Sequence, residues 1–139
     1  MRIGSNNEFI EIVEIEKRSP EGTPCSGDVK VCVSVQLQEF FGKYSEVWFE
    51  LTELKAFIDT LISLENSRFG AAKIMSMSPD EFCFEIRSSD KLGHMEVEVS
   101  LQRFQYSGPK YWPIKLSGGF QVEPEAIKYL IKGFGSFMS

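Results

Sequence analysis

The chain predicts an α+β fold: a strongly twisted, mainly antiparallel meander sheet of about seven strands, with two amphipathic helices packed on it, in the order β-β-β-α-β-β-β-β-α. Three observations carry this. Asp28–Phe40, Glu81–Arg87 and His94–Phe104 alternate apolar and polar residues with a period of two, the mark of a half-buried antiparallel strand. Two other segments change to the spacing of a helix with one apolar stripe. Short turns separate the strands that follow the first helix, so these should run as an antiparallel meander.

Phe9–Lys17 is rich in β-branched residues and opens the order as a strand. Ser19–Pro24 is a Pro/Gly-rich connection. In the next strand Val29, Val31, Val33, Val35 and Leu37 share one face, and Lys30, Cys32, Ser34, Gln36 and Gln38 the other. Gly42 offers a turn into a third strand, Tyr44–Glu50. Over Thr52–Asn66, Leu54, Phe57, Ile58, Leu61 and Leu64 form one helical stripe, with Thr52 the expected N-cap and a stop between Asn66 and Gly70. Ala71–Met77 is the next strand. Phe82, Phe84 and Ile86 point inward from the one after it, and Met95, Val97, Val99 and Leu101 from the next. A seventh strand spans Tyr111–Val122, with a bulge expected at Gly118-Gly119 and Pro113 placing part of it at an edge. Pro124 suits the first position of a closing helix whose stripe is Ile127, Leu130, Ile131 and Phe134.

The 139 residues are one domain's worth, read as a single globular unit over 1–139. Twelve Phe, four Tyr and two Trp are enough to fill its core. Twenty acids against fifteen bases, a net charge of −5, argue against a nucleic-acid binder, which needs a basic surface. No apolar run is long enough to span a bilayer, and the first residues lack the apolar stretch of a signal peptide, so a cytoplasmic protein without a membrane partner is expected. Cys25, Cys32 and Cys83, an odd number, suit reduced thiols, and the spacing of the first two matches no zinc pattern. His94 is the sole histidine and has no flanking motif. No phosphate-binding loop, nucleophile elbow, metalloprotease helix or calcium loop occurs. The residues therefore assign no catalytic group, cofactor or metal, and the chain is expected not to be an enzyme.

Two surface features remain as candidates for binding a protein. Glu81, Glu85, Glu96 and Glu98 lie on the outward faces of two adjacent strands. Matching the inward faces puts either Glu85 or Arg87 opposite Glu96, so the group reads either as a solvated face with one ion pair or as an acidic patch that steers a basic partner. The whole net charge sits in residues 1–69, where Glu46 is a further acidic candidate. Tyr106, Tyr111 and Trp112 flank a loop tip, and Tyr and Trp are favoured interface anchors.

The layout also has a likeness. The Val-alternating strand Val29–Leu37 is followed by Glu46-Val47-Trp48-Phe49-Glu50, which leads into Leu51-Thr52-Glu53-Leu54-Lys55-Ala56-Phe57 and Leu61. Gly70-Ala71-Ala72, the Phe/Glu strand Glu81–Ile86, Gly93-His94-Met95-Glu96-Val97 and a closing strand and helix come after. Over Phe9–Phe134 this resembles the wall-associated-protein immunity family, the WapI-like proteins. The resemblance implies a non-enzymatic bacterial immunity protein that binds and neutralises a cognate toxin domain inside the producing cell, its partner being a basic toxin domain. Two other readings stay open. One is a small-molecule-binding module or enzyme with a pocket near Glu81, Glu96 or His94. The other is a homo-oligomeric accessory domain that pairs through the Val-rich or the Phe-rich strand.

Overall fold

The computed structural model describes residues 1–18 and 26–138. The connection expected at Ser19–Pro24 and the thiol of Cys25 lie outside the described residues. Among the described residues the order is β1 (Arg2–Gly4), β2 (Glu8–Lys17), β3 (Val29–Leu37), β4 (Phe40–Phe49), α1 (Leu51–Ser67), β5 (Ala71–Met75), β6 (Phe82–Ser88), β7 (Met95–Ser107), β8 (Lys110–Val122) and α2 (Ala126–Ser136). All pairings are antiparallel, as expected. The strands form two sheets of four, β1-β2-β3-β4 and β5-β6-β7-β8, where one sheet of seven was expected. The cause is α1, which follows β4, packs on β5 and meets α2, so that β5 begins a new sheet. The added strand, β1, has three residues, too few to show a period; Ile3 pairs with Ile10.

In the first sheet Val29, Val31, Val33 and Val35 are fully buried beside Ile10 and Ile12 of β2 and Val47 and Phe49 of β4. Gly42 is not the turn. It lies within β4 opposite Val35, and the chain reverses at Gln38-Glu39 between the paired Leu37 and Phe40. Gln38 adopts φ 59°, a conformation rare outside glycine, so nothing in its residue type signals the turn. Its amide donates to the Asn7 carbonyl at 2.8 Å, and the Gln36 side chain donates to its carbonyl at 2.6 Å.

The α1 stripe is the expected one, with Leu54, Phe57, Leu61 and Leu64 buried. Its cap is not. Thr52 lies inside the helix, Glu50 is the N-cap residue without a side-chain cap bond, and buried Asp28 accepts the Leu51 amide on Oδ1 at 3.1 Å. A residue 23 positions upstream thus satisfies one of the four free amides of the first turn, a long-range cap that a local scan for Ser or Thr cannot see. Asp28→Ala is expected to cost about 1 kcal/mol, the usual worth of such a cap, measured by urea unfolding. Thr52→Ala should cost clearly less. The helix ends at Arg68, φ 57°, whose amide donates to the Leu64 carbonyl at 2.7 Å.

In the second sheet Phe82, Phe84, Ile86, Met95, Val97 and Val99 are buried on the inner face, as expected. Pro113 lies on β8, the edge strand, as expected. Gly118-Gly119 forms no bulge, because the β7–β8 register runs unbroken from Met95–Val122 to Ser107–Lys110. Register shifts occur instead between Glu14 and Glu16 and between Val31 and Val33. Pro124 sits in a turn before α2, which starts at Ala126. β3 and β6 are both interior strands, so neither is free to pair with a second copy.

One buried cluster contains side chains of both sheets and both helices. At its centre Phe49 of β4 meets Phe82 of β6 at 5.8 Å and Phe134 of α2 at 6.1 Å, while Phe57 of α1 meets Phe134 at 4.8 Å and Phe84 at 6.2 Å, all edge to face. These rings fill the space beneath the helices where a ligand pocket was considered. The residues named around that pocket do not converge. Glu81 reaches the first sheet, Glu96 lies on the outer face of the second, and His94 is exposed in a turn against Asp90.

Candidate functional site

Strand length makes the most prominent surface feature. β7 and β8 have thirteen residues each, but their neighbours β6 and β5 have seven and five. Gln102–Ser107 and Lys110–Lys115 therefore outrun the sheet as a two-stranded arm, turned at Gly108-Pro109 with Gly108 at φ +64°. Side chains alternate along the arm. Phe104, Tyr106, Tyr111 and Pro113 continue the outer face of the second sheet; Arg103, Gln105, Trp112 and Ile114 continue the inner face. On the outer side Tyr106 stacks on Tyr111 at 4.7 Å, and Phe104 lies 5.0 Å from Tyr111. All three are exposed.

Farther down the same outer face Arg87 pairs with Glu96 across β6 and β7, the second of the two registers considered, and Glu85 faces Glu98. Arg87 sits among three carboxylates: it donates to Glu85 at 2.7 Å, to Glu98 at 2.8 Å and to Glu96 at 2.8 and 3.1 Å. The bonds to Glu85, Glu98 and Glu96 push the Arg87 guanidinium up from an already high ordinary value, so it stays charged. One ion pair was anticipated; the single arginine serves a network of three. Arg87→Gln is expected to cost on the order of 1 kcal/mol, because Glu85 and Glu98 then face each other with only Lys73, opposite Glu85 on β5, to offset them. Thermal unfolding at low and high salt checks this, since screening should shrink the loss.

Of the expected partner-binding residues, Glu85, Glu96, Glu98 and Tyr111 share this one face, with Tyr106 beside Tyr111. The other three lie elsewhere. Trp112 is on the opposite side of the arm, where its indole N–H donates to the Ser107 carbonyl at 3.4 Å. Glu46 is on the first sheet, 3.6 Å from Lys30, which also pairs with Glu16 at 3.6 Å. Glu81 precedes β6 and accepts the Tyr44 hydroxyl at 2.8 Å. Burial, then that bond, push the Tyr44 phenol up to about 12.

Sequence reasoning missed Phe40, Phe41, Phe104 and Ile114 as surface residues, though each is exposed at this end of the molecule. The signal available was the length of the alternation in β7 beyond what a five- or seven-residue neighbour can cover.

The remaining reactive side chains are dispersed. The Cys32 and Cys83 thiols are free and half-buried, and burial pushes the Cys83 thiol up, away from the reactive thiolate. His94 Nδ1 lies 2.6 Å from Asp90 Oδ2, and this contact holds the Asp90 carboxyl below its ordinary range. Among the described residues no three His, Cys, Asp or Glu side chains are grouped to hold a metal ion, and no helix is long and apolar enough to cross a membrane.

Comparison with known proteins adds one finding. The model of the immunity protein WapI-like family matches residues 1–135. No curated protein and no solved structure matches the chain.

Proposed function

The chain belongs to the WapI-like immunity protein family, and from that we propose that it acts in the cytoplasm as a one-domain inhibitor, binding a cognate basic toxin domain and blocking it without turnover. The supporting observation is the outer face of β5-β6-β7-β8, where an acidic group and an aromatic group occupy one continuous surface. From Glu98 to Tyr106 it extends about 27 Å at roughly 3.4 Å per residue. That suits a protein contact of ordinary size, about 800 Å² on each partner. Glu85, Glu96 and Glu98 outnumber the two cations beside them, Arg87 and Lys73, by one, and Lys115 stands on the same face nearer the arm, so the attraction for a basic surface is local to these carboxylates. The stacked rings supply what charge does not, a rigid apolar anchor that loses little freedom on binding. Glu46, Glu81 and Trp112 lie off this face, so in this reading they stand outside the contact.

The test is co-expression with the toxin domain encoded beside this chain. A one-to-one complex and restored growth are expected, with Tyr111→Ala and Glu98→Gln each weakening the complex at least tenfold while the chain still unfolds cooperatively. Absence of a complex, or toxicity undiminished by the chain, overturns the reading.

A further inference from the structure

The inner side of the arm has a different chemistry. A cleft of about 230 Å³ opens between the start of β4 and the arm. Phe40, Tyr44, Leu101, Ile114 and Leu116 line it, and Arg103 stands within it. Its size is below the roughly 300–1,000 Å³ of small-molecule pockets, so it suits one or two side chains of a protein. Phe40 is 70% exposed and Ile114 47%, apolar surface with nothing upon it.

Charge states the rest. In a chain of net charge −5, this end carries four basic residues, Lys43, Arg103, Lys110 and Lys115, against two acids, Glu39 and Glu81; Arg103 and Lys110 are on the inner side of the arm and Lys115 on the outer. Among the described residues, the ion pairs found involve none of the four. Arg103 is also held in place. Its guanidinium lies 5.2 Å from the Tyr44 ring centre, and the Tyr44 hydroxyl is fixed by Glu81. An arginine stacked on a ring keeps its planar fork of donors free, and that fork matches a carboxylate.

We infer that this cleft is a second docking site for the toxin partner, taking an apolar side chain that neighbours a carboxylate, with Arg103 receiving the carboxylate. This rests on the toxin-binding reading above and adds to it that the partner's contact surface is bipolar: basic opposite the glutamates, acidic and apolar opposite the cleft. The arm is then gripped on both sides.

Calorimetry with the full chain and the toxin domain encoded beside it tests the site. Arg103→Met keeps the stem and removes the fork; it should weaken binding at least thirtyfold, with the loss falling as salt is raised. Phe40→Ala, at a position too exposed to affect folding, should weaken binding about tenfold. Lys91→Gln, in the turn before β7, is the charge-matched control and should bind as the unaltered chain does. If Arg103→Met and Phe40→Ala bind like the unaltered chain while Tyr111→Ala weakens the complex, the cleft is not a contact and only the outer face is used. If the unaltered chain forms no complex, the toxin-binding reading itself falls, and this site with it.

Discussion

Phe134→Ala is expected to remove about 3–5 kcal/mol of folding stability, the range for deleting a buried aromatic ring. Phe134 is fully buried, and its ring meets Phe49 at 6.1 Å, Phe57 at 4.8 Å and Phe137 at 5.6 Å. It therefore joins the first sheet, α1 and the end of α2, and no single neighbour can move to fill the space it leaves. The loss is a large part of the 5–15 kcal/mol that holds a domain of this size. It should fall first on α2. That helix has eleven residues and contains Gly133 and Gly135, each costing about 1 kcal/mol of helix propensity against alanine. A Cβ at Gly133 would meet the Met1 side chain at 2.5–3.0 Å, so the helix gives up intrinsic stability for a close approach to the N-terminus. Urea unfolding measures the total, and hydrogen exchange should show α2 amides opening before those of β3. A loss below 1.5 kcal/mol would mean that the six-ring cluster is not the principal tie between helices and sheets.

Much of this was legible because period and burial agree. The faces assigned to Val29–Val35, to Phe82, Phe84 and Ile86, and to Met95–Leu101 are the buried ones, since an alternating strand with one apolar face has a single way to bury it. What was not legible depends on residues far apart in the chain. The Asp28 cap joins positions 28 and 51. The division into two sheets depends on where α1 lies in space, and nothing in the spacing of Leu54, Phe57 and Leu61 specifies that. The candidate site was half legible for the same reason. Glu85, Glu96 and Glu98 follow from the alternation of two adjacent strands, so they were found together. Tyr111 and Trp112 were grouped as neighbours in sequence, although a strand sends consecutive side chains to opposite faces. Arg103 passed unnoticed because its meaning comes from Tyr44, a residue of the other sheet.

Gly119→Ala is expected to destabilise the protein by about 1–3 kcal/mol, and more with valine, whereas Gly118→Ala next to it should cost well under 1 kcal/mol. Both lie in a strand where glycine is ordinarily a weak choice, and the two are there for different reasons. A Cβ on Gly119 would run into the backbone carbonyl oxygen of Val97 on β7, which cannot rotate away. A Cβ on Gly118 would meet only the Leu37 side chain, its Cδ1 at 2.8 Å, the far end of a side chain that can turn. The apparent bulge signal is thus a close approach of two backbones, and relieving the clash requires β7 and β8 to separate at Glu98–Gly119, four pairs before the arm begins at Gln102–Lys115. The consequence extends to function. Gly119 lies opposite Glu98 on the outer face, so Gly119→Ala should weaken toxin binding at Glu98 itself and through the arm, the second effect read as faster hydrogen exchange across residues 102–115. Gly118→Ala should leave both unchanged. Equal stability of the two variants would show that β7 yields freely at Val97 and that the arm's direction is set elsewhere.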